Sequence, residues 1–137
     1  DGAMIASHAK PSRVLLVEDD DLLRRTLARM LAFKGFEVTA TPSRPPPDGV
    51  FDVGVFDVHL ESDDGVRLAQ SLLDASVVRA ALFLTGSVDA GELSRAAAVG
   101  TVIDKSDYLV LLRTLGEFAA TAASEAPTVA PPRRRGS

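Results

Sequence analysis

The chain has 137 residues, 46% hydrophobic and 25% charged, a size and composition suited to one folded domain and not to a disordered, collagen-like or coiled-coil protein. It contains no cysteine, which excludes disulfides, thiolate metal sites and thiol catalysis and fits an expected cytoplasmic location. With 15 basic and 19 acidic residues the net charge is −4, which argues against a general nucleic-acid binder, and no apolar run approaches the ~18 residues of a membrane span.

Residues 1–11 have no apolar h-region and read as a disordered N-terminus, with Asp1-Gly2-Ala3 as a cloning scar. A first strand is predicted over Val14 to Val17, followed by the dense acidic knot Glu18-Asp19-Asp20-Asp21. Leu23, Leu27, Met30 and Leu31 then recur at helical spacing, with acids at the N-terminus of that helix and Gly35 as its C-cap. A second strand, Glu37 to Ala40, leads into a window from Thr41 to Gly49 holding four prolines, which cannot sustain a helix interior. Strands are predicted at Val53 to Phe56, Ala81 to Leu84 and Thr101 to Ile103. The later helices are predicted to follow Gly65, Ala90 and Asp107, the last with a broad apolar face through Leu111, Leu112, Leu115 and Phe118. The six phenylalanines read as ordinary core, with no aromatic stripe for stacking nucleotides. Residues 124–137, with Pro127, Pro131, Pro132 and the run Arg133 to Arg135, read as a disordered tail or linker. The folded domain is expected over residues 12–123.

Short β-branched runs alternating with helical patterns predict an α/β fold, a doubly wound five-stranded parallel sheet. The crossover helix after the second strand is expected to be shortened or missing, with a polyproline-like arm crossing the sheet face instead. Ligands of such sheets bind beyond the carboxyl ends of the strands. Those positions hold Glu18 and Asp19, then Asp57, then Thr85 and Gly86, then Lys105. If the strand order is 2-1-3-4-5, Glu18, Asp19 and Asp57 share one pocket. Packed carboxylates repel unless a cation neutralises them, and an open site of a few carboxylates suits Mg²⁺. With such an ion bound, Asp57 fits the role of a nucleophile toward phosphorus, offset by the lysine and the hydroxyl. Gly86, lacking a side chain, leaves room for its backbone beside an incoming phosphoryl group. Each residue alone has a plainer reading: acids after a strand are common N-caps, Asp64-Gly65 is a turn signal, and His59 is a loop side chain. Independent caps, however, have no reason to gather at one end of successive strands.

The ordered set Val14-Leu15-Leu16-Val17-Glu18-Asp19-Asp20, Phe56-Asp57-Val58-His59-Leu60 with Gly65 eight residues past the aspartate, Leu84-Thr85-Gly86 and Ile103-Asp104-Lys105 resembles the receiver domain of two-component response regulators, over about residues 12 to 123. The resemblance implies a flavodoxin-like, CheY-like fold with Asp57 as phosphoacceptor. It implies Mg²⁺ bound directly by Asp19, through water by Glu18, and by the backbone carbonyl of His59, with Thr85 and Lys105 on the phosphoryl oxygens. The implied donor is a histidine kinase, a phosphotransfer protein or a small phosphodonor, and the implied role is a switch rather than an enzyme. The sequence departs from the family pattern at Ser106, where proline is usual, at Val102, where an aromatic residue is usual, in the short proline-rich segment after the second strand, and in the loop after Asp57, which lacks the common proline. Two rivals stand beside this reading, the first allowed by these departures and the second ranked behind it. One is a scaffold that works without phosphorylation. The other is a phosphatase-like enzyme with an aspartyl nucleophile, which usually needs a second acid where His59 stands. Downstream partner and homodimerisation are left open.

Overall fold

In the computed structural model, residues 12–43, 49–61, 63–86 and 89–125 are described, with side chains as far as Ala120. The expectations for the N-terminus, for Pro45 to Pro47 and for the arginine tail lie outside the described residues. The elements run β1 (Arg13–Val17), α1 (Asp21–Phe33), β2 (Glu37–Thr41), β3 (Val53–Asp57), β4 (His59–Leu60), β5 (Asp63–Asp64), α2 (Gly65–Asp74), β6 (Ala81–Thr85), α3 (Ala90–Ala97), β7 (Thr101–Asp104) and α4 (Tyr108–Glu125). Five strands form one parallel sheet in the order β2-β1-β3-β6-β7, which is the predicted 2-1-3-4-5 arrangement. Among the described residues no helix stands between β2 and β3.

Both faces of the sheet are covered, because successive side chains of a strand point to opposite sides. Val14 and Leu16 of β1 and Val53 and Val55 of β3 pack with Leu27 and Leu31 of α1 and Leu111 and Leu115 of α4. Leu15, Val17, Phe56 and Phe83 face the other way, onto Val66, Leu68, Ala69 and Leu72 of α2 and Ala96 of α3. The phenylalanines divide: Phe51, Phe56 and Phe83 are core, but Phe33 is 87% exposed, which corrects the reading of all six as interior. Phe33 ends α1 on the face turned from the sheet, and Phe36 beyond the turn packs on the core instead.

Each helix start has its own side-chain cap. Asp20 accepts from the Leu23 N–H, Asp64 from Val66 and Arg67, and Asp89 from Glu92, each satisfying donors that the helix leaves without partners. The end of α1 is a Schellman turn: the Gly35 N–H donates to Ala32 and the Phe36 N–H to Leu31, with Gly35 at φ +99°. The short antiparallel pair β4–β5, with His59 opposite Asp64 and Leu60 opposite Asp63, was not predicted. It lets the chain double back after Asp57, so that the Gly65 N–H donates to the Val58 carbonyl at 3.0 Å. A Cβ on Gly65 would lie 1.9 Å from the Asp57 carbonyl oxygen, so only glycine permits this approach.

Candidate functional site

Strand register assembles the site. Val17 lies opposite Phe56, Asp57 opposite Leu84, and Thr85 opposite Asp104, so the residues that follow β1, close β3 and β6, and follow β7 meet at one edge of the sheet. Glu18, Asp57 and Thr85 are the buried polar residues there, at 0%, 5% and 4% exposure. One carboxylate oxygen from each of Glu18, Asp19 and Asp57 lies within 4.8 Å of the others.

Each carboxylate of this cluster accepts at least one hydrogen bond. Lys105 donates from Nζ to Asp57 Oδ2 at 3.0 Å and stands 3.5 Å from Glu18 Oε1. The His59 N–H donates to Asp57 Oδ1 at 3.1 Å, and the Glu61 N–H, from the loop after Asp57, donates to Asp19 Oδ2 at 2.5 Å. Glu18 Oε2 accepts from the Asp20 N–H at 3.0 Å, while Glu18 Oε1 is buried without a hydrogen-bond partner. Burial pushes the Glu18 carboxyl from its ordinary 4.5 up to about 7; the Asp20 N–H opposes this, the Asp57 charge adds to it and the Lys105 charge opposes it. Burial alone would lower the Lys105 pKa, but the hydrogen bond and charge of Asp57 and the charge of Glu18 prevail and raise it, so the ammonium stays charged.

These residues fit a hard divalent cation: an acceptor oxygen is orphaned inside a three-carboxylate donor set, and Glu18 carries the cost of an ionised group out of water. Glu18, Asp19 and Asp57 would hold it. The His59 side chain does not join them; its Nε2 lies 3.0 Å from the Glu92 carboxylate on α3. Thr85 is buried at the strand end, and its carbonyl accepts from the Lys105 N–H at 3.0 Å. A Cβ on Gly86 would meet nothing within 4 Å, so packing does not require glycine there. Among the described residues all peptide bonds are trans, the Lys105–Ser106 bond included.

Sequence reasoning missed the fastening groups. Arg24 Nη1 donates to the Glu18 carbonyl at 2.9 Å, and Arg95 Nη2 donates to Asp64 Oδ2 at 2.9 Å. Arg24 carried a legible signal, a base one helical turn beyond a run of acids; the Arg95 pairing carried none, since 31 residues separate the partners.

No family model matches the sequence, and no curated protein matches it. Solved structures do. A response regulator from Thermotoga maritima, in complex with Mg²⁺–BeF, superposes with a TM-score of 0.68 at 18% identity, covering 78% of this chain and 98% of that one. The chemotaxis protein CheY4 of Vibrio cholerae gives 0.70 at 23% identity over 79% and 98%. A Burkholderia pseudomallei response regulator with a phosphorylated aspartic acid and a calcium ion gives 0.64 at 22% identity over 88% of this chain and 75% of that one. The chain has the fold of the response-regulator receiver domain.

Proposed function

We propose that the protein is a phosphoacceptor receiver that takes a phosphoryl group onto Asp57 from a histidine kinase or phosphotransfer protein and changes partner binding as a result. One observation carries the reading: a nearly buried aspartate closes the central strand with Lys105 on one oxygen and the carboxylates of Glu18 and Asp19 beside it. Mg²⁺, when bound by these acids, would offset charge on the transferred group. The chain's own residues do the rest. An Asp57 oxygen forms the new bond to phosphorus as the donor's bond to phosphorus breaks, and the donor leaves with the bonding electrons. Lys105, held above its ordinary pKa and already 3.0 Å from Asp57, is placed to follow the added negative charge, and the Thr85 hydroxyl ends the neighbouring strand. The product is a modified protein rather than a released compound, so the role is a switch and not an enzyme, and its expected setting is cytoplasmic.

The rival is a scaffold that binds partners without phosphorylation. It is favoured by Val102, half-buried at the position where the family resemblance expects an aromatic ring. Intact-mass measurement after incubation with Mg²⁺ and a small phosphodonor separates the two. The phosphoacceptor reading expects a gain of one phosphoryl group that Asp57→Asn abolishes. No gain favours the scaffold, and a gain that survives Asp57→Asn removes Asp57 from the nucleophile role.

A further inference from the structure

We infer that Arg24 is a positioning residue of the acidic pocket: its guanidinium holds the main-chain carbonyl of Glu18 and so sets the turn that aims the Glu18 and Asp19 carboxylates at a bound divalent cation. The inference rests on the reading of that pocket given above and adds a residue to it that touches neither the cation nor phosphorus.

The geometry of Glu18 leads to it. β1 ends at Val17, so the main-chain groups of Glu18 fall just past the strand. Its N–H still finds the Thr41 carbonyl at 3.1 Å, and its carbonyl is met by Arg24 Nη1 at 2.9 Å. The side chain is tied at Oε2 by the Asp20 N–H, which leaves Oε1 facing Asp57 and Lys105. Arg24 thus fixes one end of a residue whose carboxylate oxygen without a hydrogen bond, Oε1, is the one aimed into the pocket beside Lys105. Its other arm, Nη2, donates to Asp21 Oδ1 on the far side of the same turn. A planar guanidinium can brace two acceptors in a fixed relation, which a lysine cannot. The brace is also sheltered: the Arg24 side chain is 16% exposed, against 72% for Arg25, which is paired with Asp21.

A plainer role for Arg24 is charge compensation beside four consecutive acids. The two roles predict opposite signs. A guanidinium that only offsets charge repels a cation, so its removal would tighten Mg²⁺ binding; a brace that shapes the site strengthens binding, so its removal would weaken it.

The experiment titrates Mg²⁺ by calorimetry into the unsubstituted chain, Arg24→Ala, Arg24→Gln and Arg25→Ala, with thermal midpoints recorded with and without Mg²⁺. Positioning expects roughly 10-fold weaker binding for Arg24→Ala, the loss typical of an outer partner of a metal ligand. It expects a smaller loss for Arg24→Gln, whose amide keeps one N–H for the Glu18 carbonyl, and no loss for Arg25→Ala. The rise in midpoint on adding Mg²⁺ should shrink in the same order. Should Arg24→Ala not fold, Arg24→Gln is judged by the same criterion. Unchanged or tighter binding in folded Arg24→Ala, or in Arg24→Gln should the alanine variant not fold, overturns the inference and leaves the reading of the pocket intact. Failure of the unsubstituted chain to bind Mg²⁺ overturns that reading and this inference with it.

Discussion

Asp19 and Asp20 are adjacent in sequence, yet the Asp19 carboxylate lies with Glu18 and Asp57 while that of Asp20 turns back to accept the Leu23 N–H at 2.9 Å. A strand-to-helix turn does this by rotating successive side chains out of the alternation that a strand imposes. The two substitutions should therefore part company. Asp20→Ala is expected to cost about 1 kcal/mol of stability through the lost cap while leaving Mg²⁺ affinity near that of the unsubstituted chain. Asp19→Ala should lower the affinity by more than roughly 10-fold, the loss typical of a residue one shell further out. Urea midpoints and calorimetric titration of the two variants check this; unchanged Mg²⁺ affinity in Asp19→Ala would contradict its place as a ligand.

Between elements, the hairpin after Asp57 and helix α3 are joined by two side-chain pairs of opposite polarity. His59 and Asp64 are cross-strand partners in β4–β5, and they meet Glu92 and Arg95, three apart on one face of α3. The pairs are partly exposed, so each stabilises by no more than about 1 kcal/mol. Burial works to raise the Asp64 pKa, but the Arg95 hydrogen bond and the backbone N–H groups of Arg67 and Val66 prevail and hold it below its ordinary 3.8. A carboxylate with a depressed folded-state pKa contributes stability that is present above the unfolded value and lost as pH falls through the folded one. Arg95→Gln should accordingly cost about 0.5 kcal/mol at pH 7. The difference from the unsubstituted chain should fade as the pH is taken below 3.8 and Asp64 takes up its proton. Urea midpoints at several pH values measure it, and a difference independent of pH would deny the pair its electrostatic origin.

Across the whole molecule, the proposed phosphorylation of Asp57 would be felt at the surface of α3 and α4 only through β6 and β7, which lie between them in the sheet order. A population shift requires contacts that differ between two states, and a ligand with no differential contact moves nothing. Val102 of β7 packs with the core under α2 and α3, and a small, stiff β-branched side chain offers little amplitude there. Amide chemical shifts recorded with Mg²⁺ and beryllium fluoride as a phosphoryl mimic should change mainly in the loops after Asp57 and Thr85. Large changes from Leu93 to Leu112 would show a rearrangement that Val102 does not limit.

The order and type of the main elements were legible because burial is periodic in sequence. Val14 to Val17, between the acidic knot and a chain start without pattern, reads as a strand that is buried on both faces, and Leu23, Leu27 and Leu31 read as one helical face. The alternation of strand and helix then places Glu18, Asp19, Asp57, Thr85 and Lys105 at one edge, since a parallel sheet aligns the ends of its strands. Periodicity is blind to direction beyond the element, so it could not tell that Phe33 faces solvent while Phe36 packs on the core. Nor could it find the β4–β5 pair, whose two-residue strands are too short to carry a period. The bond from Glu61 to Asp19 spans 42 residues and that from His59 to Glu92 spans 33. Such contacts form only once loop closure and strand register have brought the segments together. The chain's own pattern thus determined which residues reach the edge of the sheet, and tertiary structure alone decided which oxygen of Glu18 is left without a hydrogen bond there.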